Sequence, residues 1–115
     1  VTILVFERNL LWSARLERTL RALGHTPVVL DRLPATLPAG EAAIVNLKAA
    51  IVNLSIPGID LEALIPLLKA QGTHVIGHAG HKEGDKLGGG VDLGCDQVLS
   101  NSALTFKLEE ALALA

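Results

Sequence analysis

Polar residues stand directly behind the apolar runs of this chain. Glu7-Arg8 follows Thr2–Phe6, Asn53 follows Ala49–Val52, His78 closes the run from His74, and Ser100-Asn101 follows Gln97–Leu99. If those runs are neighbouring parallel strands, Glu7, Arg8, Asn53, His78, Ser100 and Asn101 collect beyond their carboxyl ends, where doubly wound sheets hold ligands. The central position decides what such a pocket can do. Asn53 is a neutral carboxamide, a poor nucleophile that brings no charge to a hard divalent cation, so phosphoryl capture and Mg2+ binding have little support. Arg8 offers a fork suited to phosphate or carboxylate, which keeps a small anionic ligand or nucleotide as the alternative. His78 and His81, with Glu83 and Asp85 nearby, are a weak metal candidate, because imidazole and carboxylate suit zinc-like ions. Their spacing is that of a loop, and polar loop residues are the plainer reading. No cofactor is predicted.

Other motifs carry less chemistry. Gly88-Gly89-Gly90 lacks the following Gly-Lys-Ser/Thr of a phosphate loop and does not lie between a strand and a helix start, so a flexible connection is expected. Arg15, Arg18 and Arg21 recur near helical spacing with Glu17 among them, the pattern of a solvated face. The formal net charge of −2 gives no general attraction to nucleic acid or membrane, and with 3% aromatics and no Tyr there is no platform for stacking bases. The single cysteine, Cys95, excludes an intrachain disulfide and fits a reducing cytoplasm. The opening Val1–Phe6 is not a basic leader and no apolar run reaches spanning length, so neither a signal peptide nor a membrane helix is predicted, and the chain reads as one soluble, complete domain over 1–115. At 115 residues and 50% hydrophobic content it can fill one core.

The elements that must position these residues alternate between short β-branched runs and helical patterns, the signature of βαβ units around a buried parallel sheet. Strands are predicted over Thr2–Phe6, Pro27–Leu30, the segment ending at Asn53, His74–His78 and Gln97–Leu99. The first helix runs from about Leu10 to Leu23 with Trp12, Leu16, Leu20 and Leu23 on one face, and Gly24 stops it. Pro34, Pro38 and Gly40 make 31–40 a loop. Asp60 caps a helix that buries Leu61, Leu64, Ile65 and Leu68, and Ser102 caps a last one that buries Leu104, Leu108, Ala111 and Leu112. Between Lys82 and Leu93 the glycines, at roughly 1 kcal/mol each against alanine, predict a frayed or broken helix.

Residues Ala42–Lys48 are repeated almost unchanged as Ala49–Ser55, a tandem duplication of seven residues. The second copy joins Ile56-Pro57-Gly58 directly and is the preferred third strand. The first copy then falls in the connecting segment as a helix entered at Glu41, although Ile44 and Val45 oppose that mildly. In the alternative, the first copy is the strand and Asn46 stands at its end; either way an asparagine occupies the position, and two candidates for one strand open a route to register exchange or swapped dimers.

The run Ile51–Asp60, with its strand, polar residue, small residue and Pro-Gly turn, resembles the phosphoacceptor segment of bacterial response-regulator receiver domains. Gly94-Cys95-Asp96-Gln97-Val98-Leu99 is similar to the Gly-Ala-Asp run before their fifth strand. The resemblance covers nearly the whole chain by element order. It implies a three-layer CheY-like or flavodoxin-like α/β fold with a five-stranded parallel sheet of order 2-1-3-4-5. Against the receiver pattern, Asn53 replaces the acceptor aspartate, Glu7-Arg8 replaces an acid pair, His78 replaces a Thr or Ser, and Asn101-Ser102 replaces Lys-Pro. The resemblance therefore implies a pseudo-receiver, a non-enzymatic signalling module that acts through a protein partner or homodimer. Its expected contact surface is the last helix and fifth strand, with Ser102, Phe106, Lys107 and Glu110.

Overall fold

The computed structural model describes residues 1–32, 47–80 and 82–115. In chain order its elements are β1 (Thr2–Phe6), α1 (Leu10–Ala22), β2 (Thr26–Leu30), β3 (Leu47–Asn53), α2 (Leu61–Ala70), β4 (His74–Ala79), α3 (Gly84–Leu93), β5 (Gln97–Ser100) and α4 (Asn101–Ala113). The strands form one parallel sheet ordered β2-β1-β3-β4-β5, the order that the receiver resemblance implied. Among the described residues no helix is long and apolar enough to cross a membrane.

Side chains alternate across each strand, so the sheet feeds two cores. Leu4, Phe6, Ala50, Val52 and Val75 meet Leu64, Ile65 and Leu68 of α2, with Leu87 and Leu93 of α3 packed alongside. Ile3, Val5, Ala49, Ile51 and Ile76 meet Leu16 and Leu20 of α1 and Leu104, Leu108, Ala111 and Leu112 of α4. Both faces are covered, which is why these strands read as continuous apolar runs. Trp12 and Leu23 complete the α1 stripe, and Gly24, at φ 87°, turns the chain after it.

Four sequence expectations need correction or placement. First, α3 is a continuous α-helix rather than a frayed one. Gly90 is buried in it, and a Cβ there would lie 2.7 Å from Leu54 Cδ1, so this glycine lets the helix lie close to Leu54, just beyond β3, and to Val98 of β5. Packing outweighs the low helix propensity. Second, the α4 cap is Ser100, whose hydroxyl accepts from the Ala103 amide at 3.1 Å; Ser102 already lies inside the helix. Strand β5 runs into α4 without a loop, which moves the cap two residues upstream. Third, the second copy of the duplicated segment supplies β3 through Asn53, but Leu47 and Lys48 of the first copy are also in the strand, so no connecting helix runs to the end of that copy. Fourth, the rest of that copy with Asn46, most of the 31–40 loop, and His81 lie outside the described residues.

Candidate functional site

Period-two alternation and parallel register bring three polar residues together. Phe6 pairs with Val52, so Glu7 and Asn53 follow at the same level, and Asn53 pairs directly with His78. All three continue the rows Ile3-Val5, Ala49-Ile51 and Ile76, which face α1 and α4. With Asn9 and Trp12 from the start of α1 and Asn101 from the start of α4, they line a cleft of about 200 Å³. Ser100, predicted for the same pocket, pairs with Ala79 and so belongs to the opposite row. Arg8 turns outward, its Nη1 donating to the Pro57 carbonyl at 3.2 Å. Of the six predicted residues, the cleft therefore gathers Glu7, Asn53, His78 and Asn101 and leaves out Arg8 and Ser100.

Glu7 is the acid of the cleft and is heavily solvated by the protein. Its Oε1 accepts from the Arg8 amide at 3.0 Å, the Asn9 amide at 3.1 Å and Asn53 Nδ2 at 3.0 Å. Its Oε2 accepts from the same Asn53 nitrogen at 3.0 Å. These bonds satisfy a carboxylate that is only 3% exposed, the condition under which a charge can be kept from water. Asn53 Oδ1 in turn accepts from the Ser55 amide at 2.9 Å, which fixes the amide orientation and points its N–H groups at Glu7.

His78 is 1% exposed. Its Nδ1 lies 2.7 Å from Asn101 Oδ1, an oxygen that can only accept, so Nδ1 carries the proton. Nε2 then holds a lone pair; it has no hydrogen-bond partner among the described residues and stands 3.9 Å from Glu7 Oε2. Burial pushes the imidazole below its usual value, against the smaller opposing effects of Asn101 and Glu7. The Trp12 ring is tilted against it, centroids 6.1 Å apart, and the Arg15 guanidinium lies over the indole at 5.7 Å. Arg15 apart, the arginine row of α1 meets water as expected, with Arg21 only 3.9 Å from Glu17.

The Mg2+ site that the receiver resemblance implies does not fit these residues. Glu7 is the one acid among the described lining residues, and Asn53 directs donors where a cation needs oxygen ligands. Of the weak metal candidate His78 and His81, with Glu83 and Asp85 nearby, His81 lies outside the described residues. Glu83 receives the Ser55 hydroxyl at 2.6 Å and the Gly80 amide at 3.0 Å, the Ser55 bond leading the effects that hold its carboxyl below the usual range. Among the described residues no group of three or more His, Cys, Asp or Glu side chains is placed to hold a metal ion.

Sequence reasoning missed Asn9 and Trp12. Asn9 caps α1, its Oδ1 accepting from the Trp12 amide at 3.1 Å, and an Asn before an apolar-periodic run was a readable signal. Trp12 read as a member of the core stripe and is one, but it also walls the cleft. On α4, Ser102, Phe106, Lys107 and Glu110 are all exposed, Phe106 at 84%. A groove of about 300 Å³ between Trp12, Arg15, Thr105 and Phe106 adjoins the cleft through their shared Trp12 and Asn101.

No family model matches the sequence, and no curated protein matches it. Solved structures do. The receiver domain of the TMAO respiratory system response regulator TorR superposes with a TM-score of 0.74 at 17% identity, covering 98% of this chain and 97% of that one. Full-length FixJ from B. japonicum gives 0.74 at 21% identity over 97% of this chain and 57% of its own. The beryllofluoride-activated NtrC4 receiver domain dimer gives 0.68 at 18% identity over 98% and 97%. With the sheet order β2-β1-β3-β4-β5, these superpositions give the chain the CheY-like receiver fold.

Proposed function

We propose that this chain is a phosphorylation-independent pseudo-receiver, a regulatory module that works by protein contact. The observation that carries the reading is the Asn53 amide, which donates to both Glu7 oxygens at 3.0 Å from the end of β3. That bond replaces an acid–acid–metal arrangement with a closed neutral–anionic pair. No carboxylate nucleophile stands at the position, and the amide holds the remaining acid. The cleft keeps the architecture of a receiver pocket without groups for phosphoryl capture.

The output surface we assign is α4 with the adjacent β5. Phe106, exposed at 84% between exposed Ser102, Lys107 and Glu110, is an apolar anchor with a polar rim, the composition of an interface centre. The backbone leaves helical geometry at Lys107 (φ −121°, ψ 20°), which bends α4 beside that anchor. The dimer formed by the NtrC4 receiver domain supports self-association as the first mode to test. The anionic-ligand alternative loses its main support, because Arg8 is bound to Pro57 and no cation lines the cleft among the described residues.

Sedimentation of the chain and of Phe106→Glu tests the reading. A concentration-dependent dimer that the substitution converts to monomer supports it. A dimer unmoved by the substitution, or a monomer throughout the millimolar range, removes α4 as a homodimer surface.

A further inference from the structure

We propose that the cleft between α1 and α4 binds a late first-row divalent ion of zinc type, through His78 Nε2 and Glu7 Oε2. The inference goes beyond the pseudo-receiver reading and does not depend on it, because a cation on His78 neither needs nor supplies phosphoryl chemistry.

Two acceptors face each other here. Nε2 has a lone pair because Nδ1 carries the ring proton to Asn101, and it lacks a partner among the described residues. Glu7 Oε1 accepts three hydrogen bonds, whereas Oε2 accepts one, from Asn53, and is the oxygen nearest His78 at 3.9 Å. Two lone pairs at that separation repel in a buried site, and what removes the repulsion is positive charge between them. Imidazole and carboxylate together favour late transition ions over Mg2+ and Ca2+, which take oxygen ligands alone. The substitution that spoils a Mg2+ site therefore leaves a different one.

The surroundings suit such an ion. A ligating histidine commonly donates its other ring N–H to a carbonyl or carboxylate, and Asn101 Oδ1 receives that bond at 2.7 Å. The Arg8 and Asn9 amides hold the Glu7 carboxylate in place from the other side. Metal–nitrogen and metal–oxygen bonds of about 2.1 Å span the gap at a wide angle, and a tetrahedral angle needs the two atoms to close by roughly half an ångström. The cleft of about 200 Å³ has room for the water ligands that two protein ligands require.

Titration of the purified 15N-labelled chain with Zn2+, followed by long-range 1H–15N spectra of the histidine rings, tests the proposal. The expected result is saturable one-to-one binding in which His78 Nε2 shifts while Nδ1 stays protonated. Asn101→Ala should weaken it about tenfold, and His78→Gln and Glu7→Gln should abolish the saturable phase. A His78 ring unaffected by millimolar Zn2+, or binding unchanged in His78→Gln, overturns the proposal. The wild-type ring signals decide the matter even if the buried substitutions fail to fold.

Discussion

Asn53→Asp restores the acid that receiver domains carry at this position, and the geometry fixes what that should cost. The new carboxylate would stand about 3.0 Å from both Glu7 oxygens, in place of an amide that donates to them. At that distance and an effective dielectric of 20 the repulsion is about 5 kcal/mol. The pair can avoid it by keeping one proton. Holding a proton at pH 7 on a carboxyl that titrates near 3.9 when unfolded costs about 4 kcal/mol. The protonation route is the cheaper, so the variant should lose about 4 kcal/mol at pH 7, a large share of the stability of a small domain. A carboxyl raised in the folded state costs stability above its unfolded value and costs nothing well below it. The deficit should therefore shrink as the pH falls toward about 4. Two facing carboxylates are also the start of a Mg2+ site, and saturating Mg2+ at 100 times its dissociation constant should return about 2.7 kcal/mol. Urea unfolding of both proteins at pH 7 and pH 4, with and without Mg2+, measures all of this. Equal stability at pH 7 without Mg2+, or no response of the variant to Mg2+, would refute the reasoning.

The glycines of α3 should respond in opposite directions. Gly88→Ala and Gly89→Ala place a Cβ with nothing within 4 Å and should each stabilise the chain by about 0.5–1 kcal/mol in thermal unfolding. Gly90→Ala drives a Cβ against Leu54 and Val98 and should destabilise it by about 1 kcal/mol net; a gain there would show that α3 does not depend on that close approach. Although burial opposes it most, Lys69 at 2.6 Å, the Val75 amide and His74 together hold the Asp96 carboxyl below its usual range. Its contribution is present above the unfolded value and lost as pH falls through the folded one. Asp96→Asn should thus flatten the acid limb of the stability profile, and an unchanged limb counts against the ion pair as its source.

Much of the fold was legible because both faces of the sheet are covered. Runs such as Ile3–Phe6 and Ala49–Val52 are apolar throughout, and the stripes Leu64-Ile65-Leu68 and Leu104-Leu108-Leu112 have helical period, so strands and helices separate on pattern alone. The existence of α3 was legible but its continuity was not, because Leu87 and Leu93 pack on the core and the bare Gly90 lets the helix lie close to Leu54 and Val98, residues distant in sequence. The duplicated heptapeptide offered two third strands; its direct join to Ile56-Pro57-Gly58 favoured the second copy, and the pairing of Asn53 with His78 places that copy in the sheet. The site was half legible. Strand-end position named Glu7, Asn53, His78 and Asn101, which the cleft gathers, but it could not tell which row each strand end belongs to. Ser100 was included on that ground and lies across from Ala79. Asn9 and Trp12 enter from a helix start, where a capping role and a core role concealed the part they play in the cleft.

The central claim is that Asn53 closes the pocket to phosphoryl chemistry. Amide spectra recorded with Mg2+, and then with Mg2+ and beryllofluoride, test it most directly. The account predicts that the signals of Glu7, Asn53, His78 and Asn101 do not move as beryllofluoride is added. Saturable shifts at those residues would mean that the pocket still accepts a phosphoryl mimic, and would contradict it.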